Sequence, residues 1–346
     1  MSDVPSWPVP VEERAVTYRW DLDKTYLRTE FESLRKMVRI PFEAGADKVH
    51  LPGVPELVRA LRRHAEDDKE RPYVFFLSAS PPQIGDAIRE KLAIDEVAYE
   101  GITFKDQLGH LVRGRWGSLR EQVGYKLGEL LAARAAGPAA AVEYLFGDDW
   151  ESDPLIYSLY ADVLAGHVDL ETLDRVLARV EVGKTASRRI LGLADVLCGS
   201  APDAVAQVYI NLERRTPPSR FRAYGRRLVP TFNTLQAAAS LYELGRLGLE
   251  DVMEVARSLL GASGEAGYRL RNSIDDLTRR GHLGLTTRDR IVRRLAREGL
   301  APLAPNETAL RARLRAALAQ LKRTAPRPRH ASADYESVVA ALGAAE

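Results

Sequence analysis

Asp21 and Asp23 stand two residues apart at the end of a run, 14–20, that is rich in Val, Thr, Tyr and Trp. That composition predicts a strand. Strand side chains alternate between faces, so two carboxylates at this spacing share a face. Close carboxylates repel unless one is protonated or a cation lies between them. A hard divalent ion such as Mg²⁺ prefers oxygen ligands, keeps open positions for phosphate, and would answer that repulsion. A second acidic group, Asp148, Asp149, Glu151 and Asp153, follows the apolar run 142–146. Four carboxylates directly behind a buried strand are costly to place without a cation. Between the two acidic groups, the apolar run 73–77 ends in Ser78-Ala79-Ser80-Pro81, and 83–92 has helical spacing. A strand, a small polar loop and a helix start put hydroxyls and amides where an oxyanion can bind.

The elements that must position these residues follow from the pattern around them. Runs 14–20, 73–77, 142–146 and 205–212 read as strands, and helical stretches at 55–63, 83–92, 119–134, 154–164, 169–180 and 185–197 alternate with them. Strands alternating with helices predict a parallel α/β sheet. Such sheets bind ligands outside the carboxyl ends of their strands. The Asp21/Asp23, Ser78 and Asp148/Asp149/Asp153 clusters therefore converge on one edge, joined by Lys126 from the helix before the third strand. A carboxylate nucleophile, a second carboxylate, a hydroxyl, a lysine and a metal-binding acidic cluster are the parts that phosphoryl transfer needs.

Together these motifs resemble, in order, the four signature motifs of the haloacid dehalogenase superfamily of aspartyl-phosphate phosphohydrolases. The resemblance covers residues 14–215 and is closest to the phosphatidate-phosphatase-like branch. It is carried by Asp21-Leu22-Asp23-Lys24-Thr25 with Thr29, by Phe76-Leu77-Ser78-Ala79-Ser80-Pro81, and by Gly147-Asp148-Asp149 leading to Asp153-Pro154-Leu155-Ile156-Tyr157. It implies a Rossmannoid parallel sheet flanked by helices and a Mg²⁺-dependent phosphatase. In that reading Asp21 is the nucleophile, and Asp23 is the acid and base, with its carbonyl reaching the metal. Ser78 and the Ala79 amide hold the phosphoryl oxygens, and Lys126 bridges them to the nucleophile. Asp21, Asp23 and Asp148 sit at the metal, with Asp149 or Asp153 supporting it. Arg19 and Trp20 depart from the plain apolar run the family has there, and Lys24 stands where the branch often has an acid.

Charge divides the chain. Residues 217–330 hold 22 Lys and Arg against 10 Asp and Glu, whereas 1–216 are net acidic. This predicts a phosphatase domain over 1–216, a helical basic region over 217–323, and a linker with a short helix over 324–346, the latter at 335–342. The helices of the basic region are expected at 230–247, 249–260, 287–298 and 306–323 from their three- and four-residue spacing. A basic half suits an anionic membrane surface or a nucleic acid backbone. One cysteine, Cys198, leaves no internal disulfide framework. The absence of a signal-like N-terminus and of any apolar run near about 18 residues gives the expectation of a cytoplasmic chain, peripheral to a membrane at most. The branch resemblance implies phosphatidate as the substrate, and the gaps between motifs, too short for a large cap, favour a bulky phosphomonoester. The alternatives are a polynucleotide or protein phosphatase, and a non-catalytic scaffold.

Overall fold

The computed structural model describes residues 15–28, 49–78, 82–104, 115–150, 152–263, 267–302 and 333–343. Two compact units are interleaved along the chain: residues 1–49, 65–230 and 330–346 form one, and 50–64 and 231–329 form the other. The sequence boundary at 216 falls short of this division because one more strand follows it.

The first unit is α/β. Six parallel strands form one sheet in the order β3-β2-β1-β4-β5-β6, with helices flanking it. They are β1 (Ala15–Asp21), β2 (Arg71–Ser78), β3 (Gly101–Phe104), β4 (Val142–Asp148), β5 (Val205–Asn211) and β6 (Leu228–Thr231). β6 corrects the sequence reading, which takes 230–247 as helical. Its four residues are all buried, too short a run to carry a periodic signal, and Pro230 is tolerated because the strand lies at the sheet edge. The helix that follows starts only after Asn233, whose side chain caps it by accepting from the Gln236 amide.

Strand alternation divides β1 between two surfaces. Tyr18 and Trp20 point one way and join an aromatic layer: Trp20 stacks on Phe146 at 3.7 Å between centroids, and Phe146 on Tyr209 at 5.1 Å. Arg19 and Asp21 point the other way, toward the helices that close the core. Arg19, the departure from an apolar run, is answered by Glu143 on β4. Its Nε donates to Glu143 Oε2 at 2.8 Å, while Arg134 and the Tyr160 hydroxyl also donate to the same carboxylate. Burial alone would push the Glu143 carboxyl up, but the charge and hydrogen bond of Arg19, then Arg134, hold it below its usual range.

On this face lie α3 (Arg115–Gln122), a π-helical turn (Val123–Leu127), α4 (Gly128–Ala136), α5 (Asp153–Leu164), α6 (Leu170–Arg179) and α7 (Lys184–Leu197). Leu131, Leu145, Ile156, Leu173, Ile190 and Val208 belong to its buried core. The C-terminal helix (Tyr335–Gly343) adds Tyr335 and Val339 to the same core, and the Tyr335 hydroxyl donates to Asp162 at 2.6 Å. Asp162 also takes a hydrogen bond from Arg227 at 2.8 Å.

The second unit is helical. Most of α1 (Val54–Asp67) belongs to it, with α8 (Thr234–Glu243), α9 (Leu249–Ser263), α10 (Gly267–Arg279) and α11 (Leu285–Arg297). The Thr234 hydroxyl donates to Pro52 O at 2.8 Å and Arg63 pairs with Asp251 at 2.6 Å, tying the early segment to the later helices. Sequence spacing had no counterpart for α10. The expected helix at 306–323 lies outside the described residues. No helix among the described residues is long and apolar enough to cross a membrane.

Candidate active site

Strand order reverses between β1 and β4: from β1 the sheet runs one way through β2 and β3, and the other way through β4, β5 and β6. In open parallel sheets this reversal opens a crevice at the carboxyl ends of the two strands. Asp21 is the last residue of β1 and Asp148 the last of β4. The crevice is thus lined by carboxylates from both sides.

Asp21, Asp148 and Asp153 are buried, and one oxygen of each lies within 4.8 Å of the others. Lys126 Nζ donates to Asp21 Oδ1 at 2.8 Å and to Asp153 Oδ1 at 2.6 Å. This lysine is wholly buried, unlike most helix lysines, and the π-helical turn explains how. A π turn inserts an extra residue into a helix and shifts its angular phase. Here Val123, Lys126 and Leu127 are the buried residues of that turn. Its neighbour Tyr125 donates to Ser78 O at 3.2 Å, and burial pushes the Tyr125 hydroxyl pKa up, so it stays a neutral donor.

Asp153 reaches the crevice because Gly147 has no side chain. A Cβ at 147 would stand 2.4 Å from Asp153 Oδ2 and 2.7 Å from its Cβ. The Asp148 amide donates to Asp153 Oδ2 at 3.3 Å, and the Trp150 amide donates to Asp148 Oδ1 at 2.6 Å. Gln122 holds the same loop by accepting from the Ser152 hydroxyl at 2.9 Å and its amide at 3.2 Å. Tyr157 lies beneath. Burial, then the Asp153 charge, raises its pKa well above the ordinary value, which keeps its hydroxyl protonated toward Phe146 O.

Asp23 sits in a tight turn beyond β1. The Lys24 amide donates to Leu27 O at 2.8 Å, Lys24 has a φ of 62°, and the Tyr26 hydroxyl anchors the turn on Asp95 at 2.8 Å. The Ser78 hydroxyl donates to Asp23 Oδ2 at 3.2 Å, so the ends of β1 and β2 meet as their spacing predicts. Asp23 is not part of the three-carboxylate group.

Asp149, expected at the metal, points elsewhere. Its two oxygens accept from the amides of Arg214 at 2.9 Å and Thr216 at 3.1 Å, fixing the loop after β5. Of the doubled pair Asp148-Asp149 and the later Asp153, the crevice therefore receives Asp148 and Asp153. Ala79 lies outside the described residues. Gln122, Tyr125 and the π turn carry no sequence signal as site residues; Gly147 does, as the small residue before the acidic pair.

The donor set suits a hard divalent cation. Three buried carboxylates face one lysine, so their charge exceeds what Lys126 offsets, and oxygen-only ligands are what Mg²⁺ prefers. Comparison with protein-family models, with curated proteins and with solved structures finds no match to the chain.

Proposed function

We propose that the chain is a Mg²⁺-dependent phosphomonoesterase of haloacid dehalogenase type, working through an aspartyl-phosphate on Asp21. The observation that supports this most is the gathering of Asp21, Asp148, Asp153 and Lys126 at the strand-order reversal. The sheet order 3-2-1-4-5-6 and the ordered motifs are consistent with it.

In this reading the Asp21 carboxylate attacks phosphorus in line, and the bond to the leaving oxygen breaks. Asp23, protonated at that moment, gives its proton to the leaving oxygen. Water then attacks the acyl phosphate, Asp23 takes the water's proton, and phosphate leaves with Asp21 restored. Ser78 and Lys126 bind and orient the phosphoryl oxygens, and Lys126 offsets charge on both nucleophile and phosphate. Asp21, Asp148 and Asp153 would hold the Mg²⁺, which when bound supplies charge neutralisation for the transferred group.

The substrate class we favour is phosphatidate or another bulky phosphomonoester, with the basic half facing an anionic surface. A polynucleotide substrate draws only on the positive charge of 217–330. In the described part, Arg257, Arg280, Arg288 and Arg294 are already paired with carboxylates, which reduces the charge left for a phosphate backbone.

The test is phosphate release from an aryl phosphate with and without Mg²⁺, for the wild type and Asp21→Asn. The expected result is Mg²⁺-dependent release that the substitution abolishes. Release that persists in Asp21→Asn would overturn the proposal.

A further inference from the structure

Trp150 lies between the two acidic ligand positions of the β4–α5 loop, yet it is 45% exposed. Its amide is tied to Asp148 at 2.6 Å, so its backbone is fixed to the carboxylate group. Two cations approach its ring. Lys24 Nζ lies 3.2 Å from the ring centroid, and the Arg214 guanidinium carbon lies 4.7 Å from it. Each cation comes from a different loop at the same sheet edge, and each loop is tied to a neighbouring one. The Lys24 carbonyl accepts from Asn211 at the end of β5, and the Arg214 amide donates to Asp149. The loops after β1, β4 and β5 thus meet in a cation–aromatic–cation rim next to the crevice.

An exposed tryptophan costs hydrophobic free energy, and two basic side chains drawn onto one ring are held against their own repulsion. An indole face attracts cations, which offsets that repulsion. The consequence is a fixed positive charge pair beside a pocket whose own carboxylates are negative. Such a rim contributes little to the scissile phosphate, which the buried lysine and a cation already meet. It has the sign to receive a second anion carried by the leaving group.

We infer that this rim, resting on the phosphomonoesterase reading above, selects phosphomonoesters whose leaving group bears a second anionic group, through the exposed Arg214 held over Trp150 opposite the buried Lys24. An exposed cation placed against a substrate anion gives roughly a two- to fivefold preference. The preference should fall as salt rises, since the Arg214 charge is solvent-facing.

The matched probes are phenyl phosphate and 4-carboxyphenyl phosphate, which differ in a remote charge. The ratio of their kcat/KM values is measured in the wild type, Arg214→Gln, Trp150→Leu and Trp150→Phe. The ratio of their affinities is measured by calorimetry in Asp21→Asn, with and without Arg214→Gln. The carboxylated ester should be favoured in the wild type. The ratio should drop severalfold in Arg214→Gln and in Trp150→Leu, and recover in Trp150→Phe, which keeps a ring for the cations. Arg188→Gln, an equal charge loss on an exposed arginine of α7, should leave the ratio unaltered. Equal handling of the two esters, or an equal loss in Arg188→Gln and Arg214→Gln, overturns the rim proposal while leaving the phosphatase reading in place. Absence of turnover with both esters instead counts against the phosphatase reading, and the affinity ratio then judges the rim alone.

Discussion

Gly147→Ala is the smallest change that reaches the heart of the crevice. The added methyl carbon would stand 2.4 Å from Asp153 Oδ2, 2.7 Å from its Cβ and 2.8 Å from its Cγ, all inside repulsive range. Asp153 opens α5 and is wholly buried. Its carboxylate must rotate away, which lengthens its bonds from Lys126 Nζ and the Asp148 amide, now 2.6 and 3.3 Å. Overpacking of this kind costs about 1–3 kcal/mol. Weakening a charge-assisted hydrogen bond adds about 1.5–3 kcal/mol, so the expected loss is about 2.5–6 kcal/mol. For a unit of this size that lowers the melting midpoint by about 5–24 °C. Thermal and denaturant unfolding measure the loss, and titration calorimetry with Mg²⁺ measures the accompanying fall in affinity. Gly192→Ala in α7 is the control, because a Cβ there meets nothing within 4 Å; replacing a mid-helix glycine should stabilise by about 0.5–1 kcal/mol. Wild-type stability and wild-type Mg²⁺ affinity in Gly147→Ala would refute the close packing of Asp153 on Gly147.

Three further outcomes are expected. Glu143 has a folded pKa below its unfolded value of about 4.3, so its contribution is fully present above that pH and is lost as pH falls through the folded value. Glu143→Gln, which leaves Arg19 and Arg134 without a counter-charge, should cost about 3–5 kcal/mol near pH 7 and flatten the acid limb below about pH 4.3 in denaturant titrations. Asp149→Ala removes the acceptor of two loop amides and should lower stability by about 1–3 kcal/mol without changing Mg²⁺ affinity. Asp153→Ala should abolish high-affinity binding in the same calorimetric assay, and equal effects of the two would overturn the assignment of Asp149 to the loop. Tyr335→Phe strips Asp162 of its 2.6 Å hydroxyl donor and should cost about 1.5–3 kcal/mol in equilibrium unfolding.

Much of the sheet was legible in the sequence because its strands announce themselves. The run at 73–77 is apolar without interruption, as strands buried on both faces are, 142–146 is broken only by Glu143, and the polar groups behind them fall at one edge once the strands are parallel. Asp21, Ser78, Asp148 and Asp153 could be placed together for that reason alone. Lys126 could be placed only as a residue of the helix before the third strand, and its full burial was not legible. Its burial depends on a π turn, and no local composition distinguishes a π turn from the α-helix around it. The division of labour between Asp149 and Asp153 was illegible for a different cause: it is decided by where the Arg214 and Thr216 amides lie, about 65 residues away in sequence. Arg19 looked like a fault in a strand, and its explanation, Glu143, belongs to another strand. β6 was missed because four residues give no period, and α10 because its polar face dominates a short segment.

The interleaving of the two compact units has a consequence for how the chain is made. β1 is made before its neighbours β2 and β4, which follow 56 and 126 residues later by their register, and Tyr335 and Val339 are made later still. Until Ser78 is made β1 is a strand with aromatic and acidic residues and no β2 to pair with, and until Asp148 it lacks β4; non-local parallel pairing is slow to form. A stalled or truncated chain that ends before the last helix would lack part of the first unit's core while carrying the whole carboxylate cluster. Recombinant production should therefore depend on residues 335–343 more strongly than on the arginine-rich stretch 311–329.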